Sequence, residues 1–267
     1  MSELTKEFQI RAAGLTDVGL VRVENEDAFF TLESPEIYIV ADGMGGHNAG
    51  AVASAMAVSA IRDNYLEGWS QIQSTLRIIP EDLVKERLRE ALLDSIHFAN
   101  SSIYQSSVAN PELDGMGTTV VAVVGAGEHL AFGHVGDSRI YRFRDKKIAP
   151  VTRDHSLLNY YLDQGWITQE QIPYFPHKHI ILQALGVNPE VEPDVIIRRK
   201  HPGDVYLLCS DGLTDLIDDP TLESIAEEMG LDDLARLSEA YVEAALRAGG
   251  VDNITALLLA VESTSSE

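Results

Sequence analysis

Four residue pairs carry most of the oxygen chemistry in this chain: Glu26-Asp27, Asp42-Gly43, Asp211-Gly212 and Asp252-Asn253. Each stands where a run of strand-forming residues begins or ends. Carboxylates held at strand ends by a rigid sheet can converge on one point. An all-oxygen donor set suits a hard divalent cation, manganese or magnesium. Glycine directly after Asp42 lets a backbone carbonyl approach such an ion closely. An Asp-Gly pair is also an ordinary turn. What weighs against that plainer reading is that Asp42 and Asp211 each close an apolar run.

Two other residue types bear on phosphate chemistry. Arg22 lies four residues before Glu26. Its guanidinium could take a phosphate through two parallel hydrogen bonds, or form a surface ion pair with Glu24 or Glu26. His47, close after Asp42, could be a general acid or a polar residue at a helix start.

Other chemistries are excluded. The glycine-rich stretch from Asp42 to Gly50 has no Gly-Lys-Ser/Thr, and Asn48 stands where a dinucleotide fingerprint needs glycine. Cys209 lacks an arginine six places on, where Asp215 stands, and its run Tyr206-Leu-Leu-Cys209 reads as core. His177 and His179 have no second pair nearby to complete a zinc site.

The elements that must position these groups follow from periodicity. Phe8 to Leu15, Ala28 to Leu32 and Glu36 to Ala41 read as strands, as do Thr118 to Val124, His129 to Val135, Arg139 to Arg144 and Ile148 to Val151. Asp194 to Arg199, Asp204 to Cys209 and Asn253 to Val261 complete the set. Helices are expected over Ala51 to Ile61, Glu81 to Ser102, Leu222 to Met229 and Leu231 to Ala248, with Trp69 to Pro80 a loop. The aromatic- and proline-bearing stretch from Arg153 to Gly186 reads as a surface insertion. Strands in runs and helices in runs make an α+β pattern with antiparallel sheet and no βαβ alternation. The simplest account is a single domain over 1–267 with a flap at about 153–186.

Composition narrows the partners. The 267 residues include 42 acidic and 20 basic side chains, a formal charge of −22. Such an excess argues against a nucleic-acid surface or an anionic membrane. One cysteine precludes an internal disulfide and fits a reducing, cytoplasmic setting. No run approaches the roughly 20 apolar residues of a membrane helix, and the N-terminus does not read as a signal peptide.

Six segments in order give the chain a family likeness: Arg22-Val-Glu-Asn-Glu-Asp27, Ala41-Asp-Gly-Met-Gly-Gly-His47, Gly115-Met-Gly-Thr-Thr119, His134-Val-Gly-Asp-Ser-Arg139, Leu208-Cys-Ser-Asp-Gly-Leu213 and Gly250-Val-Asp-Asn-Ile-Thr255. Together they resemble the metal-dependent protein phosphatases of type 2C, in their bacterial form. The resemblance implies a central β-sandwich of two antiparallel sheets flanked by antiparallel helix pairs, an α-β-β-α arrangement. It implies two Mn2+ or Mg2+ ions, with Asp42 bridging them and Gly43 giving its carbonyl. Asp211 and Asp252 would bind the first ion, Glu26 would reach the second, and Asp27 would lie at or just behind the ligands. A third, weaker ion would fall on Asp114 and Asp211, with Asp137 left to pin a turn. Arg22 would hold the phosphoryl group. Met44 stands where the animal pattern has histidine, so the proton donor is His47 or water. The implied activity is hydrolysis of phosphoserine and phosphothreonine by a metal-bridging hydroxide, opposing a bacterial Ser/Thr kinase, by a cytoplasmic monomer. The rival readings are a non-catalytic binding module of the same fold and a hydrolase of small phosphate esters.

Overall fold

The computed structural model describes residues 7–46, 49–75 and 78–264. Among these, three strands come first: β1 (Glu7–Asp17), β2 (Asp27–Glu33) and β3 (Glu36–Met44). Two long helices follow, α1 (Ala49–Thr75) and α2 (Glu81–Ala109). Next come β4 (Gly117–Thr118), β5 (Val120–Ala126), β6 (His129–Val135), β7 (Arg139–Arg144) and β8 (Lys147–Pro150). The chain then runs through α3 (Leu157–Asp163), β9 (Asp194–Arg199), β10 (Val205–Cys209), α4 (Asp211–Thr214), α5 (Asp219–Met229), α6 (Leu234–Arg247) and β11 (Ile254–Thr264).

Two antiparallel sheets result. One has the order β1-β11-β10-β7-β8, the other β2-β3-β5-β6-β9, with β4 added beside β3. The expected α+β sandwich between helix layers is therefore what the chain forms. Side-chain alternation builds its three cores. In β3, Ile37, Ile39 and Ala41 pack against α1 and α2, while Tyr38 and Val40 face the opposite sheet. In β10, Val205, Leu207 and Cys209 face α5 and α6, while Tyr206 and Leu208 point between the sheets. β11 repeats the pattern with Ile254, Ala256 and Leu258 outward and Leu257 and Leu259 inward.

The first helix departs from expectation. It does not stop at Ile61 but continues through the supposed loop to Thr75. Tyr65 and Ile72 are buried, Trp69 packs partly buried against the same core, and the Tyr65 and Trp69 rings lie 5.8 Å apart. Burying each such side chain contributes about 2 kcal/mol. That outweighs the roughly 1 kcal/mol a mid-helix glycine such as Gly68 costs. α2 likewise runs past Ser102 to Ala109. Its buried face holds Val84, Leu88, Leu92, Ile96 and Ala99 as expected, but Leu83 is turned out and 42% exposed.

The stretch from Arg153 to Gly186 closes on itself through a bridge of Ser156 with Ile181 and is tied to Thr118 through Leu185. It contains α3, started by Ser156, whose Oγ accepts the Asn159 N–H, and a 3-10 turn over Gln169–Tyr174. An aromatic group of Tyr160, Tyr161, Trp166 and Phe175 holds it together, with ring separations of 5.0–5.7 Å across Trp166 and 5.2 Å from Tyr161 to Phe175.

Candidate metal centre

Strand parity decides which carboxylates meet. In β3 the inward series Tyr38, Val40 is continued by Asp42. Asp27 is the register partner of Asp42 on β2 and points to the same inter-sheet side as Phe29. From the facing sheet, Ser210 ends the inward series of β10, and Thr255 begins that of β11. These two hydroxyls meet Asp27: its Oδ2 accepts from Ser210 Oγ at 2.8 Å and from Thr255 Oγ1 at 2.6 Å. Asp211, next to Ser210, and Asp252, three residues before Thr255, are thereby carried to the same end of the sandwich as Asp42.

Glycines allow the loops to close on this end. A Cβ on Gly43 would stand 2.1 Å from the Gly50 carbonyl oxygen at the start of α1, and one on Gly50 would stand 2.5 Å from Glu26 Oε1. A Cβ on Gly212 would stand 1.9 Å from the Asn253 carbonyl oxygen. Asn253 ties the loops: its Oδ1 accepts the Glu26 N–H at 2.8 Å, and its Nδ2 donates to the carbonyls of Val18 at 3.0 Å and Glu24 at 2.9 Å. Below Asp42, Thr118 Oγ1 donates to the Asp42 carbonyl at 2.8 Å, and Thr119 N–H donates to the same oxygen at 2.9 Å.

The electrostatics of the cluster call for cations. Burial, then the charges of Asp27 and Asp211, push the Asp42 carboxyl well above the usual range. Asp42 and Asp211 act strongly on each other, and two carboxylates so placed need a shared proton or a cation between them. Asp211 is itself raised, chiefly by burial. Burial, then the charges of Asp211 and Asp252, raise Asp27 to about 6 against the pull of its two hydroxyl donors. Among the described residues Arg22 reaches them: Nη2 donates to Asp252 Oδ2 at 2.7 Å from an exposed loop. One guanidinium cannot neutralise four carboxylates. Asp27 Oδ1 is buried and without a hydrogen-bond partner. The donors are all oxygens, so hard divalent cations fit this cluster.

The site residues expected from sequence do not all gather here. Glu26, Asp27, Asp42, Gly43, Asp211, Asp252 and Arg22 do. His47 lies outside the described residues. Asp114 is exposed on the turn after a 3-10 helix at Pro111–Leu113. Asp137, which the resemblance leaves to pin a turn, lies close enough to the cluster to feel Asp211 and to act on Asp42. It follows β6 in the loop before β7, is half-buried, and leaves Oδ1 buried without a hydrogen-bond partner. Burial, then the charge of Asp211, raises its carboxyl to about 7. Asp137 also acts on Asp42. A backbone hydrogen bond at Asp137 itself holds the carboxyl down in part, as in a turn-holding aspartate, while Oδ1 stays without a partner. In the sequence, its position directly after β6, level with Asp42 and Asp211 at strand ends, was the available signal.

Comparison with known proteins points the same way. The family model described as Protein phosphatase 2C matches residues 22–248. The chain is 36% identical over 249 residues to the serine/threonine protein phosphatase PstP of Mycobacterium tuberculosis, covering 93% of this chain and 44% of that protein. It thus spans under half the length of that relative. The serine/threonine phosphatase stp of Listeria monocytogenes is 37% identical over 247 residues, covering 91% of this chain and 93% of its own. Among solved structures, the catalytic domain of PstP in complex with two manganese ions superposes with a TM-score of 0.80 at 34% identity, over 96% of this chain and 100% of that one. The Streptococcus agalactiae serine/threonine phosphatase gives a TM-score of 0.81 at 32% identity, over 95% and 100%.

Proposed function

Because the chain belongs to the protein phosphatase 2C family, we propose that it is a manganese- or magnesium-dependent phosphatase of phosphoserine and phosphothreonine in proteins. The observation that carries this reading is the buried group of Asp27, Asp42 and Asp211 beside Asp252, raised in pKa and short of positive charge. A binding module that had lost catalysis would have no physical reason to keep it.

In this reading Asp42, Asp211, Asp252, Glu26 and the Gly43 carbonyl hold two ions. Asp27 lies behind them and adds charge, and Asp137 with Asp211 holds a weaker third. Bound there, Mn2+ or Mg2+ supplies Lewis-acid charge that makes hydroxide available near neutral pH and neutralises phosphoryl oxygens. Arg22 exchanges its contact with Asp252 for the phosphoryl group, whose spread charge a planar guanidinium matches. The leaving serine or threonine oxygen takes its proton from His47 or water. The flap, about 153–186, sits within a single catalytic domain over 1–267 and contacts the protein substrate. The protein works as a cytoplasmic monomer on phosphoproteins that include a Ser/Thr kinase or its targets.

The test compares turnover of a phosphothreonine peptide with that of p-nitrophenyl phosphate and glycerol phosphate in saturating Mn2+. Higher kcat/KM on the peptide is expected, with turnover and Mn2+ binding both lost in Asp252→Ala. Preference for glycerol phosphate would instead mark a hydrolase of small esters. Wild-type turnover by Asp252→Ala would overturn the assignment of the centre.

A further inference from the structure

A second polar cluster lies behind the carboxylate centre. His134, in β6, is the register partner of Asp194 at the start of β9, and His155 stands between them near the start of the flap. One donor atom from each falls within 4.8 Å of the others. Hydrogen-bond bookkeeping excludes a metal here. His134 Nε2 donates to the Arg153 carbonyl at 2.8 Å, since a carbonyl only accepts. His155 Nδ1 accepts the Gly136 N–H at 3.3 Å, so the neutral ring carries its proton on Nε2, which faces Asp194 Oδ2 at 3.3 Å. With both nitrogens engaged, His155 has no lone pair to give an ion. The cluster is a relay, Asp194 to His155 to Gly136.

What the relay grips matters more than the relay itself. His155 holds both backbone polar groups of Gly136: beyond the ring contact, its own backbone N–H donates to the Gly136 carbonyl at 2.8 Å. Gly136 has φ +104°, and a Cβ there would lie 2.7 Å from Thr119 Cγ2. The loop is thus pressed between His155 and Thr119. Thr119 Oγ1 shares a 2.7 Å hydrogen bond with Ser138 Oγ and accepts the Asp42 N–H at 3.3 Å. Between Gly136 and Ser138 sits Asp137, with its free buried oxygen. On its other side the His155 carbonyl accepts the Leu182 N–H at 2.7 Å, on the returning arm of the flap.

We propose that His155, oriented by Asp194, is a positioning residue: it fixes Gly136 so that Asp137 is aimed at the ion-binding end of the sandwich and sets the affinity of the weakest-bound ion there. The inference rests on the ion-binding reading given above. It predicts that damage to the relay is felt in metal affinity more than in overall stability, because outer hydrogen-bond partners commonly govern affinity about tenfold or more.

The experiment measures Mn2+ binding to the full chain, by electron paramagnetic resonance of the free ion, for wild type, His155→Leu, His155→Asn and Asp194→Ala. Thermal melts in EDTA run alongside. His155→Leu removes the acceptor for Gly136 N–H and should weaken the last-bound ion about tenfold, leaving the tighter ions in place. His155→Asn puts an amide oxygen where Nδ1 was and should restore most of that affinity. Asp194→Ala, at an exposed position, leaves the core untouched and should shift affinity in the same direction, which keeps the idea testable should His155→Leu not fold. Isotherms unchanged in His155→Leu and Asp194→Ala, with only the melts lowered, would reduce His155 to a structural role and overturn the proposal. Failure of the wild type to bind Mn2+ at all would overturn the ion-binding reading first, and this inference with it.

Discussion

Replacing Asp27 by asparagine should make the metal-free protein more stable while disabling its centre. Asp27 is 8% exposed, with two hydroxyl donors on one oxygen and none on the other. Its carboxyl rises from the usual 3.8 to about 6, mainly through burial. A raised carboxyl pKa means the folded state holds the proton more tightly than the unfolded chain. The stability this brings is complete below about pH 4 and is lost as pH climbs through about 6. At pH 7.5 the ionised Asp27 therefore costs the apo protein about 3 kcal/mol. Asparagine keeps an oxygen for Ser210 and Thr255 and removes the charge. In EDTA at pH 7.5, Asp27→Asn should be more stable by about 2–3 kcal/mol, a rise in Tm of about 5–10 °C for a chain of this size. At pH 4 the two should melt alike. Saturating Mn2+ should reverse the order, since wild type gains about 2.7 kcal/mol per ion at a hundredfold excess over Kd. Urea and thermal melts followed by circular dichroism would measure this, with Asp232→Asn as an exposed control for the change in net charge. If Asp27→Asn is no more stable than wild type in EDTA at pH 7.5, the electrostatic argument for a cation-requiring cluster is wrong.

Other outcomes follow from individual contacts. Arg22→Ala should raise KM for a phosphopeptide by about tenfold or more, the loss of one charge-assisted hydrogen bond, with a smaller change in kcat; an unaltered KM would remove Arg22 from substrate binding. Gly43→Ala forces a methyl group to within 2.1 Å of the Gly50 carbonyl oxygen and should cost about 1–3 kcal/mol by denaturant melts, whereas Gly46→Ala, with open space around it, should be silent. Cys209 is buried, and burial pushes its thiol up to about 12. It should resist iodoacetamide at pH 8 until urea unfolds the chain, as mass spectrometry of the labelled peptide would show.

Local pattern was enough for much of this protein. Alternation over Glu36 to Asp42 places Asp42 on the face of Tyr38 and Val40, and the same rule puts Thr255 with Leu257 and Leu259. Ordered motifs around Arg22, Asp42, Asp211 and Asp252 carried the family likeness. The continuation of α1 through Trp69 was obscured because Gly68 and polar neighbours mask an apolar spacing of four and then three residues, which becomes persuasive only once a core receives Tyr65 and Ile72.

Asp114 and Asp137 mark the boundary. Both are aspartates in short loops, both beside a glycine, and locally only the strand that ends just before Asp137 separates them. Pairing does the rest: β6 lies in one sheet between β5 and β9, β7 in the other between β10 and β8. The loop joining them must cross the end of the sandwich where Asp42 and Asp211 stand, while Asp114 is left on an outer turn. The Arg22 contact with Asp252, across 230 positions, has the same origin. Side-chain type and strand parity are written within a few residues of each group. Which strand ends face one another depends on the order of strands in both sheets, and that order is settled by packing over the whole chain.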